Sequence, residues 1–178
     1  MKKLTTTLLL LMVICVTNIF AQGRFDNERY GKTLNLGLGI GGYSGYYGYA
    51  GVLMPVFHAD YEFDVVPCFT LAPFVTFYTY DKSDYRETVI PLGVKGTYYF
   101  DKLLTANPNW DFYLAGSLGF AVRITTWDSG YIGNRTDYPR GRSLFLDFHA
   151  GAEYHLTEKL GVFLDLSSGV STIGIAIH

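Results

Sequence analysis

The sequence predicts an all-β protein: a closed, eight-stranded, antiparallel up-and-down transmembrane β-barrel that follows an N-terminal signal peptide. Three observations predict it. Period-two alternation of apolar and polar residues recurs through the chain, and no window beyond the first residues gives a sustained 3.6-residue apolar stripe. In each alternating segment the apolar row is almost purely Leu, Ile, Val and Phe, with no other amphipathic element to cover it. The opposite row mixes Gly and Thr with ionisable groups, the inverse of a soluble ligand-carrying barrel, which is polar outside. Lipid can cover the apolar row. Closure is then required, because an open sheet edge in hydrocarbon leaves backbone groups unpaired.

The elements follow in order. Met1-Lys2-Lys3, the apolar run Leu8 to Val16 and the small residue Ala21 read as a secretory signal peptide, residues 1–21, cut before Gln22. The run falls short of the roughly 20 apolar residues a spanning helix needs. Cys15 does not make a lipobox, because Ile14 before it is not small. Residues 22–32 form an N-terminal periplasmic segment, and 33–178 the barrel. After removal of Lys2 and Lys3 the chain's 14 basic residues fall to 12, against 16 acidic, a formal charge of −4. That gives no electrostatic footprint for nucleic acid. Only Cys68 remains, so no internal disulfide forms. Aromatic residues at 17% and 20 glycines suit a β-rich chain.

The first strand sets Leu34, Leu36, Leu38 and Ile40 against Asn35, Gly37, Gly39 and Gly41. The second sets Leu53, Pro55, Phe57, Ala59, Tyr61 and Phe63 against Met54, Val56, His58, Asp60 and Glu62. In the third, Phe69, Leu71, Pro73, Val75 and Phe77 oppose Thr70, Ala72, Phe74, Thr76 and Tyr78. The fourth opposes Ile90, Leu92, Val94, Tyr98 and Phe100 to Gly93, Lys95, Thr97 and Tyr99. Phe112, Leu114, Leu118, Phe120, Val122 and Ile124 face away from Tyr113, Ala115, Ser117, Gly119 and Arg123 in the fifth. The sixth, Leu144 to Tyr154, places Asp147, His149 and Glu153 opposite its aliphatics. Leu160 to Leu166 and Ile173 to Ile177 complete the set, with Asp165 on the polar side of the seventh. The connections Tyr43–Ala50, Tyr80–Thr88, Thr125–Arg142 and Ser167–Ser171 fall at one end, and shorter turns at Asp64–Cys68, Asp101–Trp110 and His155–Lys159 at the other. Long loops outside and short turns inside fit an outer-membrane barrel.

Several of these stretches carry a resemblance. Ile90-Pro-Leu-Gly-Val-Lys95 leading into Tyr98-Tyr99-Phe100, Tyr113-Leu-Ala-Gly-Ser-Leu-Gly119, and Gly151-Ala-Glu-Tyr154 before Leu160-Gly161 resemble small eight-stranded outer-membrane β-barrel proteins of the porin superfamily, particularly those of Bacteroidota. The resemblance covers the whole mature chain. It implies residence in the cell outer membrane of a Gram-negative envelope. The partners it implies are outer-membrane lipid, lipopolysaccharide and the barrel-assembly machinery.

Candidate chemistry is sparse. Gly37-x-Gly39-x-Gly41-Gly42 brushes a dinucleotide fingerprint but lacks a βαβ unit, and reads as a row thinned to admit large side chains from opposite strands. His58 with Asp60 and Glu62, or His149 with Glu153, share a face and could ligate a metal, yet a hydrogen-bonded lumen network accounts for them better. Lipid A deacylases on this fold carry a His and a Ser two apart; His149-Ala150-Gly151 does not, and neither Ser143 nor Ser117 has a base beside it in sequence. The expectation is therefore no catalytic residues, no cofactor and no metal. A structural charge network is expected in a filled polar lumen: Arg123, Asp147, His149 and Asp165, with Lys95 bridging to Asp60 and Glu62. The expected role is structural or surface interaction, with Thr125–Arg142 as the loop available to an extracellular partner. A narrow passive pore for small solutes and a lipid-modifying envelope enzyme are the alternatives.

Overall fold

The computed structural model describes residues 30–41, 54–82, 84–104, 107–130, 132 and 144–178. The signal peptide, most of the 22–32 segment, the Tyr43–Ala50 loop and most of Thr125–Arg142 lie outside the described residues. Eight strands form one closed barrel in sequence order. They are β1 (Thr33–Gly41), β2 (Met54–Val66), β3 (Phe69–Lys82), β4 (Tyr85–Tyr99), β5 (Trp110–Trp127), β6 (Leu144–Thr157), β7 (Leu160–Ser167) and β8 (Val170–Ile177). Every neighbouring pair is antiparallel, and β1 closes on β8 from Leu34 opposite Ile177 to Gly41 opposite Val170. The sheet has no free edge, so all strands are paired on both sides.

The face assignments hold strand by strand. Leu38, Ile40, Phe57, Phe77, Leu114, Leu118, Leu146, Phe148, Leu164 and Ile173 all point out and are exposed, whereas Asn35, Asp60, Glu62, Lys95, Asp147 and Asp165 are buried. An apolar surface running round the whole barrel far exceeds the few hundred Å² that proteins in water usually leave open. Aromatic residues rim it at the short-turn end. Trp110 stacks on Phe112 and tilts against Tyr154 there, while at the long-loop end the buried Tyr85 packs between Tyr80 and Trp127 on the inward side of the wall.

Two expectations need correction. The Tyr80–Thr88 loop is not a loop: β3 and β4 run on as a hairpin as far as Lys82 and Tyr85, and Tyr85 to Glu87 pair with Trp127 to Thr125 of β5. An exposed Arg86–Asp81 pair at 2.5 Å bridges that hairpin. Strand pairing there continues past the apolar belt, where neither face needs to be aliphatic, so the alternation that marks a strand is missing. The interior is also not polar throughout. Met54, Val56, Phe74, Tyr78, Val89, Ala121 and Val170 form an apolar cluster towards the long-loop end. Tyr30, Cys68, Tyr99, Tyr113 and Ala115 form a second towards the short-turn end. Asp60, Lys95, His149 and Asp165 occupy the layer between. The Asp101–Trp110 connection carries a single helical turn, α1 (Asp101–Leu104), whose Asp101 accepts a hydrogen bond from Tyr30 Oη at 3.2 Å.

Glycines thin the wall where large residues cross the lumen. A Cβ at Gly37 would meet the Phe163 ring at 3.2 Å and Thr172 at 3.1 Å, and one at Gly151 would collide with the Tyr113 ring. Of the β1 glycine row, Gly37 thus makes room for Phe163, Gly39 approaches the Ser171 backbone, and Gly42 lies outside the described residues.

Candidate functional site: the charged lumen layer

Alternation brings the ionisable residues inward, and register then decides who meets whom. On one wall, Lys95 Nζ of β4 donates to Asp60 Oδ2 of β2 at 2.8 Å and lies 3.8 Å from Glu62 Oε1. Asn35 Nδ2 of β1 donates to both carboxylates, at 3.0 Å each. His58 Nε2 sits 3.0 Å from Asp60 Oδ2, with its Nδ1 2.7 Å from Thr76 Oγ1. Glu62 Oε2 accepts from Thr70 Oγ1 and, at 2.8 Å, from Tyr99 Oη. This is a paired, hydrogen-bonded set, the condition under which buried charge is tolerable.

On the facing wall, His149 Nδ1 of β6 lies 2.8 Å from Asp165 Oδ1 of β7, and its Nε2 lies 2.9 Å from Ser117 Oγ of β5. Asp165 Oδ2 accepts from Tyr113 Oη at 3.1 Å. Serine, imidazole and carboxylate stand in the order a nucleophilic relay requires. Sequence reasoning missed it, because Ser117 and His149 are 32 residues apart and only β5–β6 pairing joins them, Ser117 lying opposite Asp147 and Ala115 opposite His149. Both walls line one small cavity, with His58, Lys95, Ser117, His149 and Asp165 around it. Its free space is of the order of a water molecule, not of an acyl substrate.

The remaining expected members go elsewhere. Asp147 does not meet Arg123: it pairs opposite Ser117, six residues down β5 from Arg123, about 20 Å along the strand. Asp147 instead accepts from the Ser167 and Ser168 hydroxyls, filling space that Gly169 leaves at the β7–β8 turn. Arg123 Nη1 lies 3.8 Å from Glu87 Oε1 of β4, beyond the apolar cluster. Glu87 was hidden by the mistaken loop; its place in the inward row with Val89 and Pro91 was the available signal. Glu153 does not join His149 either, being four residues along the same strand. It accepts from His178 Nε2 at 2.8 Å, and that hydrogen bond raises the His178 pKa above the ordinary histidine value.

No protein-family profile and no curated protein sequence matches the chain. The solved structures similar to it include two transmembrane barrels. Neisserial surface protein A (NspA) aligns with a TM-score of 0.50 at 14% identity, over 82% of this chain and 94% of that one. A de novo designed transmembrane β-barrel aligns with a TM-score of 0.48 at 14% identity, over 84% of this chain and 98% of that one. The likeness to NspA is one of fold: a closed, antiparallel eight-stranded barrel.

Proposed function

We propose that the protein is an outer-membrane β-barrel of the small, Bacteroidota-like porin-superfamily type, with a structural or surface-interaction role and a plugged lumen. One observation carries the location: a continuous apolar belt that no other described element covers, with Trp110, Phe112 and Tyr154 at its short-turn edge. No helix among the described residues is long and apolar enough to cross a membrane, so spanning falls to the strands. The filled interior carries the role. A charged layer between two apolar clusters leaves water-sized space, which argues against a pore. The same lack of space argues against catalysis at Ser117, whose relay reads as a satisfied polar network. Outer-membrane lipid, lipopolysaccharide and the assembly machinery are its partners on this reading, with Thr125–Arg142 the loop offered to anything outside.

Planar-bilayer recording of the refolded protein, together with membrane fractionation, tests this. A barrel that sediments with the outer membrane and carries no steady current fits the proposal. Steady conductance would move the assignment to a narrow passive pore. An altered lipid A mass spectrum on expression would move it to a lipid-modifying enzyme.

A further inference from the structure

We propose that Glu153, His155 and His178 form a binding site for a divalent transition metal, zinc foremost, at the short-turn rim of the barrel. The site lies outside the charged lumen layer and does not depend on the role given to that layer. Glu153 and His155 are on β6, and His178 follows β8; one ligand atom from each lies within 4.8 Å of the others. His178 Nε2 is 2.8 Å and His155 Nδ1 4.0 Å from Glu153 Oε1. Ligand atoms around a tetrahedral zinc, at roughly 2.0–2.2 Å from the metal, stand about 3.4 Å apart. Side-chain shifts of up to about 1 Å from these positions would seat the ion.

The second layer argues more strongly than the first. His155 turns its other nitrogen, Nε2, to Asp111 Oδ2 of β5 at 2.8 Å. The other nitrogen of His178, Nδ1, is 3.0 Å from Thr33 Oγ1 of β1, and that hydroxyl donates its own proton to the Tyr30 carbonyl at 2.8 Å. Thr33 must therefore accept from His178 Nδ1–H, just as Asp111 accepts from His155 Nε2–H. Those far-nitrogen partners leave His155 Nδ1 and His178 Nε2 as the nitrogens turned to Glu153, and the ion would take the place of the proton that His178 Nε2 donates to that carboxylate. Ligand imidazoles anchored through their far nitrogens by a carboxylate and a hydroxyl are the usual outer shell of a zinc site. Two imidazoles and one carboxylate suit zinc and its neighbours, not calcium or magnesium, which take mainly oxygen. The His155 and His178 side chains keep 25% and 21% of their surface exposed, so an ion can enter from solvent and a water can hold a fourth position.

Glu153 reaches His178 only because β7 carries no side chain between them. Gly161 lies opposite His155 on one side and Ala176 on the other, and a Cβ there would collide with the Glu153 carboxylate. The ion would tie β6 to β8 across β7 and, through Thr33, brace the seam where β1 closes on β8.

Calorimetric titration of the refolded full chain in detergent with Zn²⁺ tests the proposal, with Co²⁺ absorption reporting geometry. One ion per barrel, a four-coordinate Co²⁺ spectrum and a raised thermal midpoint with Zn²⁺ are expected. Glu153→Gln and His155→Gln should each weaken binding at least about tenfold, and Asp111→Asn about 10- to 100-fold. Glu158→Gln, an exposed carboxylate in the adjoining turn, should bind as the parent does. Each variant is first scored for a heat-shifted gel band, which reports folding. Absence of saturable binding overturns the site, as does parent-like binding by the folded Glu153→Gln and His155→Gln variants.

Discussion

Lys95→Met removes the one cation lying between Asp60 and Glu62 while keeping most of the side-chain volume. The ammonium is 2.8 Å from Asp60 and 3.8 Å from Glu62, and all three side chains are 5% exposed or less. With an effective dielectric of about 20, those separations correspond to attractions of about 6 and about 4 kcal/mol. Dehydrating an ammonium offsets several kcal/mol of that, and the carboxylates keep other donors: Asn35 and His58 for Asp60; Asn35, Thr70 and Tyr99 for Glu62. The net loss expected is about 3–5 kcal/mol, the cost of leaving buried charge without its partner.

Urea unfolding in phospholipid vesicles, followed by emission of Trp110 and Trp127, measures it. Leu118→Ala on the lipid side is the comparison. Lipid can refill that gap, so the loss should not exceed the transfer value of the deleted carbons, about 1–2 kcal/mol. Lys95→Met/Asp60→Asn should recover part of the single variant's loss, because it deletes a charge that had lost its counterion. Equal stability of Lys95→Met and the parent, or a double variant losing the full sum of both singles, would refute the reasoning.

Refolded protein should migrate differently on gels before and after boiling, since a closed barrel resists detergent; identical migration would speak against closure. Gly151→Ala should cost about 1–3 kcal/mol by forcing a Cβ into the Tyr113 ring, and the added Tyr113→Ala change should relieve that clash. A fluorophosphonate probe should leave Ser117 unlabelled in the folded barrel, because the cavity admits water and no phosphonate; stoichiometric labelling would make the relay an active site. Mass spectrometry of the exported protein should start at Gln22, and a lipid on Cys15 would contradict the signal-peptide reading.

The barrel was legible because lipid enforces one rule at every outward position of the belt. Leu34, Phe57, Val75, Leu118 and Ile173 need nothing beyond apolarity, so alternation alone revealed eight strands and their faces. The legibility ended where that rule ends. Tyr80 to Thr88 lies past the belt, and with no row forced to be apolar its strands looked like a loop. The lumen was half legible for a related reason. Alternation told that Asp60, Lys95, His149 and Asp165 point inward, and the Lys95–Asp60 and His149–Asp165 contacts could be reached from hairpin register. Arg123 and Asp147 could not be placed, because their depths depend on where β5 meets β6, and the connection between those strands is long.

The two faces therefore differ in kind. Outward residues contact a fluid solvent that adjusts to them, and each contributes nearly independently. Inward residues contact one another through shared groups: Asn35 serves two carboxylates, Asp60 serves Lys95, His58 and Asn35, and Gly37, Gly151 and Gly161 are small because Phe163, Tyr113 and Glu153 are large. Substitutions there should couple across strands distant in sequence, as contacting residues do. Loss of a single lumen partner is felt on two or three strands at once. The barrel's specificity of pairing thus rests on its interior, while its proposed place in a membrane rests on its exterior. A chain could keep one and lose the other: Lys95→Met should still enter a bilayer, held there by an untouched belt, but in a barrel that opens more easily.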